Sequence, residues 1–347
     1  MSYNALPLTS KLFQLTFLTC ALALAGCGGG DTVDSIAPAP DLGVQPDTGV
    51  TDNTGRVTQN GFSVSLTKNV LSFGVDGDTA NITARLVDRV GNPIPDGAVV
   101  TFVSEGGRVT PNCVTSNGIC TVEFSTQSPR PSDNRVSVLA YVKGDKSYVD
   151  MNANNEYDIG IDTLRQNIGD FFRDDNENNQ YDSNIGEFLY QIGDSGATCA
   201  PSSFNESNVV NTCNNNLSAV LRYQVVLGLA SDKPTFKGLS TRLDANLNSM
   251  STSIVNFKMY GNSEQTVSMA SGTTISVDAE GSSCQAELIA GNSTIPSLVN
   301  LGVKSVDDSD VSYAFSYTGC AANDKIKVTV QSPAPDATTT TRTIFIQ

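Results

Sequence analysis

Residues 81–95 read NITARLVDRVGNPIP, and a later stretch, 115–122, reads TSNGICTV. Apolar and polar side chains alternate up to Val87, which places successive side chains on opposite faces of a β-strand. The segments Gly91-Asn92-Pro93 and Asn117-Gly118 supply residues that tolerate positive φ or hold φ at about −65°, so both predict turns. Strands and turns in this order predict an antiparallel β-sandwich.

Similar short runs with turn residues between them continue on both sides of these stretches. The composition also favours strands, since Thr, Ser, Val and Asn are abundant and long runs with helical spacing are scarce. The first set of predicted strands covers 62–66, 81–87, 99–103, 119–124 and 136–142. The second set covers 253–259, 273–278, 284–288, 311–317, 326–330 and 341–346.

The two quoted stretches, together with VVTF at 99–102, resemble the bacterial immunoglobulin-like domain of invasins and intimins. The resemblance covers residues 62–142 and implies an all-β fold of tandem immunoglobulin-like β-sandwiches, here with an irregular calcium-binding insertion. It also implies a non-enzymatic surface protein with an adhesin-like or stalk-like role. A fold does not settle a function, because such domains serve as binding modules and as spacers.

The run 219–229 has two interpretations. It either closes the first sandwich, with about 70 polar residues before it as a loop insertion that costs little closure entropy, or it opens the second. With the first interpretation, we expect an immunoglobulin-like domain at 61–230 carrying an acidic insertion at 145–215, and a second sandwich at 231–347.

The N-terminus has the layout of a secretory signal: Lys11, then an apolar run from Leu12 to Leu24 that is too short to span a membrane. Its end, Leu24-Ala25-Gly26-Cys27, resembles the lipobox of bacterial lipoproteins, which implies cleavage of residues 1–26 and a lipid on Cys27. Gly28 resembles the outer-membrane class, so we expect an anchored, surface-exposed protein. Residues 27–60 have too few apolar side chains to fold and predict a disordered tether.

Charge and cysteine content narrow the partners. A net charge of −15 argues against nucleic acid and anionic lipid heads, so the predicted anchor is the lipid itself. Six cysteines remain outside the signal and Cys27, and nearest-neighbour pairing fits an exported chain best. We expect Cys113–Cys120 to staple a hairpin, Cys199–Cys213 to tie the insertion, and Cys284–Cys320 to cross between sheets.

The segment 145–194 contains twelve acidic residues against Lys146, Arg165 and Arg173. Within it, two stretches place oxygen-bearing side chains on alternate residues, a spacing that lets a loop wrap around Ca²⁺, and both resemble the calcium loops of EF-hands and dockerins. Position 6 is Asn155 or Asn179 instead of Gly, and Asp162 or Glu187 would replace the glutamate of position 12. The predicted Ca²⁺ ligands are Asp150, Asn152, Asn154, Glu156, Asp158 and Asp162 in the first loop, and Asp174, Asn176, Asn178, Gln180, Asp182 and Glu187 in the second. The alternative is a solvated acidic loop.

Two other functions were weighed. An enzyme is disfavoured because the chain has no histidine, no glycine-rich phosphate loop and no free cysteine if three disulfides form, which leaves only carboxylate pairs as candidate catalysts. A carbohydrate-binding surface lipoprotein is the main alternative to a protein adhesin. Because tryptophan is absent, its platform would be Tyr313, Phe315 and Tyr317, which alternate along one strand and can equally be core.

Overall fold

The computed structural model describes residues 55–192, 196–247 and 251–347. Cys27, the signal segment and residues 27–54 of the predicted tether lie outside the described residues. Helical structure in the described part is limited to turns at Gln59–Gly61 and Ser183–Ile185 and a short helix, α1, at Asp308–Val311.

The strands follow the predicted runs, with several short ones added between them. The first group is β1 Phe62–Leu66, β2 Val70–Ser72, β3 Thr79–Leu86, β4 Val99–Ser104, β5 Arg108–Val109, β6 Asn112–Val114, β7 Ile119–Ser125 and β8 Arg135–Asp145. The insertion carries β9 Tyr148–Val149, β10 Thr163–Leu164, β11 Phe171–Phe172 and β12 Leu189–Tyr190. The last group is β13 Ser218–Ala230, β14 Thr235–Lys237, β15 Arg242–Leu243, β16 Ser253–Tyr260, β17 Thr274–Glu280, β18 Gln285–Ala290, β19 Ser312–Thr318, β20 Lys325–Gln331 and β21 Thr339–Ile346.

Strand order identifies both sandwiches as immunoglobulin-like. In the first, a sheet ordered β1-β3-β7-β5 faces a sheet ordered β2-β13-β8-β4-β6. In the second, β14-β16-β19-β18 faces β15-β21-β20-β17. Both pairs reproduce the ABED and GFC sheets of the immunoglobulin fold, with the first strand divided between the two sheets. The predicted all-β class with tandem immunoglobulin-like sandwiches is therefore confirmed.

Strand β13 belongs to the first sandwich and settles the question left open by the sequence. It pairs antiparallel with β8 from Ser218 opposite Asp145 to Gly228 opposite Arg135. Residues 146–217 therefore lie between two strands whose ends are already adjacent. An insertion at such a point adds little to the entropy of loop closure.

The two sandwiches have separate cores built by alternation of side chains. In β3, Ile82, Ala84 and Leu86 face inward and are fully buried against the opposite sheet. Fully burying an isoleucine or a leucine side chain stabilises the fold by about 1.5–3 kcal/mol. In the second sandwich, Tyr313 and Phe315 are core residues, as is Tyr317. The aromatic platform considered for sugar stacking is thus not on the surface.

Strand β8 is buried on both of its faces apart from Lys143. Its inward residues join the core, whereas Tyr141 on the outward face packs against aromatic rings of the insertion, with Phe171 at 5.7 Å and Tyr190 at 5.3 Å between centroids. The insertion therefore covers the outer face of the β13-β8-β4 sheet.

The described chain contains the three expected disulfides, Cys113–Cys120, Cys199–Cys213 and Cys284–Cys320. Two of them act differently from the expectation. Cys113 lies on β6 and Cys120 on β7, which belong to opposite sheets, so this bridge joins the sheets instead of stapling a hairpin. Cys284 and Cys320 flank β18 and β19, which are neighbours in one sheet, so the bridge predicted to cross between sheets ties adjacent strands.

The packed structure begins before the predicted end of the tether at residue 60. Val57 is 2% exposed, and its carbonyl accepts a hydrogen bond from the backbone N–H of Asp145. The Gln59 side chain bonds the backbone of Arg222 in β13. These hydrogen bonds join residues 57–59 to the backbone of β8 and β13, so this segment is part of the sandwich.

Candidate cation-binding loops of the insertion

Each predicted calcium loop is closed at its base by a two-residue strand pair. In the first loop, β9 pairs antiparallel with β10, which brings Val149 opposite Thr163. In the second, β11 pairs antiparallel with β12, which brings Phe172 opposite Leu189. The frame is strand-loop-strand, in place of the helices that flank an EF-hand loop.

The first loop folds around its own oxygen-bearing side chains. Oδ2 of Asp150 accepts a hydrogen bond from the backbone N–H of Asn155 at 2.8 Å. The side-chain amides of Asn152 and Asn154 converge on Oδ2 of Asp158, at 2.8 and 2.7 Å. Oδ1 of Asp150 is buried and has no hydrogen-bond partner in the described chain. A buried carboxylate oxygen without a donor calls for a positively polarised partner.

The second loop repeats the same network at the same spacing. Oδ2 of Asp174 accepts from the N–H of Asn179 at 2.8 Å. The amides of Asn176 and Asn178 lie 2.8 and 2.6 Å from Oδ2 of Asp182. The alternate-residue spacing therefore specifies one loop conformation in two places.

The backbone at position 6 explains why asparagine replaces glycine. Asn155 has φ of 62° and Asn179 has φ of 61°. This left-handed region is costly for most side chains, and asparagine tolerates it because its short amide bonds locally. The departure from the EF-hand pattern leaves the turn intact.

Position 7 is occupied by Glu156 and Gln180, and both side chains are exposed. Their backbone N–H groups donate to the side chains of Asn154 and Asn178 at 2.8 and 2.7 Å. In EF-hand loops, position 7 contributes its backbone carbonyl to the ion and not its side chain.

Asp162 and Glu187 fasten the end of each loop to its beginning. Asp162 accepts from the N–H groups of Met151 and Asp158, both at 2.8 Å. Glu187 accepts from those of Asp175 and Asp182, at 3.0 and 2.6 Å. The two carboxylates therefore occupy equivalent places, although one lies a residue further along its loop.

The carboxyl groups of the two loops differ in pKa because the loops differ in burial. In the exposed first loop, hydrogen bonds from the backbone of Asn155 and its neighbours outweigh the cost of burial and lower the pKa of Asp150. In the second loop, burial raises the pKa of Asp174 and raises that of Glu187 to about 7. Asp174 and Glu187 of the second loop therefore bind a proton more readily than Asp150 of the first loop does.

The charged side chains of the two loops do not form a compact ligand cluster. No group of three or more Asp, Glu or Cys side chains in residues 55–192, 196–247 and 251–347 is arranged to hold a metal. An ion in these loops would rely largely on neutral amide and carbonyl oxygens. Because affinity for Ca²⁺ rises with the number of charged ligands, such a site belongs with the extracellular, roughly 0.1–1 mM class.

The second loop also contacts both sandwiches through Glu177, which is not among the predicted Ca²⁺ ligands. Glu177 receives two hydrogen bonds from the Arg135 guanidinium of β8, at 2.6 and 3.0 Å, and both side chains are 2% exposed. Its carboxylate also accepts the backbone N–H of Lys304, in the second sandwich. The only sequence signal was an acid within an acid-rich segment, which does not point to a partner.

Arg135 completes this junction by donating to backbone carbonyls of the second sandwich. These are Thr266 at 3.2 Å, Leu301 at 3.1 Å and Gly302 at 2.9 Å. A planar guanidinium can serve a carboxylate and several carbonyls together. The first sandwich, the insertion and the second sandwich therefore meet at one ion pair, which we call the Arg135–Glu177 junction.

Other polar contacts fix the insertion on the outer face of the first sandwich. Gln224 of β13 bonds both the N–H and the carbonyl of Asp174, at 3.0 and 2.8 Å. Arg173 pairs with Asp175 and donates to the carbonyl of Ser104. The second loop is thus held to the sheet by its first residues and to the second sandwich by Glu177.

Comparisons with known proteins leave the family open. No family model and no curated protein matches the chain. Similar solved structures include the Yersinia pseudotuberculosis adhesin InvE (12% identity, 84% of this chain, 60% of that one, TM-score 0.24) and the D0-D1 domain of intimin (12%, 82% and 97%, TM-score 0.24). Yersinia pseudotuberculosis InvD has 13% identity over 83% of this chain and 58% of that one, with a TM-score of 0.29. The chain thus spans about 60% of the InvE and InvD chains, and its own strand order carries the fold assignment.

Within the described residues, no helix has the length and apolar character needed to cross a membrane.

Proposed function

We propose that this chain is a non-enzymatic, lipid-anchored protein of the cell envelope. Its adhesin-like or stalk-like immunoglobulin-like domains are stiffened by Ca²⁺ and present a binding surface to a protein or glycan receptor. The lipid on Cys27 supplies the anchor, and the outer membrane is the proposed location.

One observation carries the stiffening role: the Arg135–Glu177 junction places the second calcium loop between the two sandwiches. The residues proposed to hold the ions are the side chains at positions 1, 3, 5 and 9 of each loop, the backbone carbonyl at position 7, and Asp162 or Glu187. A bound ion supplies positive charge to carboxylates that otherwise accept hydrogen bonds from the backbone and side-chain amides of their own loop. Ordering the second loop then orders Glu177, and Glu177 holds Lys304.

The size of the effect limits the role. With about 1 mM Ca²⁺ outside the cell and a dissociation constant of ~0.1–1 mM, linkage contributes roughly 0.4–1.4 kcal/mol per site. This amount orders a loop or biases a junction between domains. It does not hold up a sandwich, whose core side chains each contribute a comparable or larger amount.

Titration calorimetry on the purified mature protein tests the proposal. We expect two weak Ca²⁺ sites, with Asp158→Asn removing the first and Asp182→Asn the second. Asp278→Asn, an exposed change on β17, is the control and leaves both sites intact. An isotherm without saturable heat would refute the calcium proposal.

The anchor is tested separately by Cys27→Ser. This variant should lose lipid labelling and leave the membrane fraction, and globomycin should block processing of the wild type. Unchanged processing with globomycin would exclude a lipoprotein and leave the calcium result untouched.

A further inference from the structure

A polar pocket of about 250 Å³ lies at the end of the first sandwich where the insertion leaves β8. Three separate segments line it: the N-terminal arm at Thr58 and Asn60, the β3–β4 turn at Arg89, and both roots of the first calcium loop, at Ser147 and Arg165. The turn after β3 and the insertion after β8 correspond to the B–C and F–G loops of the immunoglobulin fold.

The pocket is cationic in an otherwise acidic chain. Its lining includes Arg89, Lys146 and Arg165 and no Asp or Glu. Lys146 is engaged, since its ammonium bonds Asn167 and Asn214 at 2.6 to 3.0 Å. The two guanidinium groups are what an incoming ligand would meet.

These two arginines differ in how they are held. Arg89 lies 4.1 Å from the ring centre of Tyr148 and donates to its hydroxyl at 2.6 Å, so it is fixed in place. The Arg165 guanidinium is exposed and has no hydrogen bond or ion pair within the described residues. One preset and one unengaged guanidinium provide the planar donors that recognise carboxylate and sulfate.

Hydroxyl and amide groups beside the arginines extend the recognition beyond charge. Oγ of Ser147 is buried, with the residue 9% exposed, and has no hydrogen-bond partner in the described chain. Thr58 and Asn60 add a hydroxyl and an amide to the same wall. Such groups both donate and accept, which matches sugar hydroxyls, whereas a bare inorganic anion only accepts.

We propose that this pocket binds a carboxylate- or sulfate-bearing saccharide unit, with the anion on Arg89 and Arg165 and a sugar hydroxyl on Ser147. This deepens the glycan branch of the proposed function, yet it does not require Ca²⁺. The net charge of the chain does not prevent binding, because at physiological ionic strength charges beyond about 8 Å are largely screened. The pocket has room for about one sugar residue and is small compared with drug-sized sites.

Asp150 connects the pocket to the first calcium loop. Its negative charge interacts with Arg89, so it competes with an anionic ligand. An ion bound by Asp150 would cancel that competition. We therefore expect Ca²⁺ to strengthen saccharide binding, and Asp150→Asn to strengthen it in chelator.

The test is calorimetry of the mature protein with a glucuronate-containing disaccharide, in Ca²⁺ and in chelator. Arg165→Gln should weaken binding at least about tenfold, and Ser147→Ala should weaken it several-fold without disturbing the fold, since Oγ has no partner to lose. Arg342→Gln, at another exposed arginine, on β21, is the matched control and should bind as the wild type does. A neutral glucose disaccharide should not bind.

Each other outcome has a defined consequence for the proposal. No saturable binding of glucuronate or sulfated saccharides by the wild type, or equal affinity in Arg165→Gln, removes the pocket as a site. Competition by inorganic sulfate at the same concentration as the saccharide would show that the pocket is a simple anion site and that it does not recognise the sugar. Saccharide binding that ignores Ca²⁺ supports the pocket and counts only against the calcium loop.

Discussion

Replacing Glu177 with glutamine tests the structural junction most severely. The substitution keeps the shape of the side chain and removes its charge. Arg135 would then be left charged, buried and without its carboxylate, while its bonds to the carbonyls of the second sandwich remain.

The expected loss follows from burial of the pair. Both side chains are 2% exposed, so water cannot replace the missing carboxylate. Breaking a buried ion pair from one side costs about 3–5 kcal/mol, and the surviving carbonyl contacts place this case at about 3 kcal/mol. By contrast, Lys327–Glu280 is an exposed pair, with side chains 38% and 49% exposed, and solvent screening leaves such pairs little net effect on stability.

Urea unfolding, followed by tyrosine fluorescence in this tryptophan-free chain, measures the difference. With an m-value of about 3 kcal/mol/M, Glu177→Gln should lower the unfolding midpoint by roughly 1 M, and the two sandwiches should separate into two transitions. Glu280→Gln serves as the control and should unfold in a single transition with a nearly unchanged midpoint. Equal effects of the two variants would show that the junction does not couple the sandwiches.

Three further predictions concern pH, disulfides and loop geometry. Burial raises the pKa of Glu105 from its usual 4.5 to about 8. The unfolded chain therefore loses this proton at a lower pH than the folded chain does, and stability should fall as pH rises from about 4.5 through 8. Glu105→Gln should flatten this part of the curve of unfolding midpoint against pH. Removing Cys113–Cys120 as a double serine variant should cost roughly 2–3 kcal/mol and removing Cys284–Cys320 roughly 4 kcal/mol in urea titrations, because the second closes the longer loop; the reverse order would contradict the chain-entropy argument. Asn155→Gly should retain Ca²⁺ binding in calorimetry whereas Asn155→Val should weaken it about tenfold, since φ is 62° there, and equal affinities would show that this backbone geometry is not needed.

Local patterns predicted the strands well and their partners poorly. The predicted run Phe62–Leu66 is identical to β1, because the alternation and turn residues that define a strand lie next to one another in the sequence. The membership of β13 was undecided, because a strand's periodicity does not name its neighbour. The disulfides show the same limit. The pairs were predictable from spacing, but the strands and sheets that each pair joins depend on the tertiary path of the chain.

In the candidate site, too, local geometry was predictable and contacts between distant residues were not. Loop position is local, so the sequence was enough to align Asn155 and Asn179 with the glycine of position 6, and both adopt the left-handed conformation. Arg135 and Glu177 lie 42 residues apart and gave no signal of their contact. Polar residues on the outward face of a strand ordinarily face water, and Arg135 is buried because the insertion and the second sandwich both pack over this end of β8.

Hydrogen exchange of backbone amides, with and without Ca²⁺, tests the central claim most directly. The amides of Asn178, Asn179, Asp182 and Lys304 donate to carboxylates of the second loop, so ion binding should slow their exchange together. At Ca²⁺ tenfold above the dissociation constant, about tenfold slower exchange is expected. Slowing in the loop but not at Lys304 would show that the ion does not stiffen the junction, and no slowing anywhere would remove Ca²⁺ from the account.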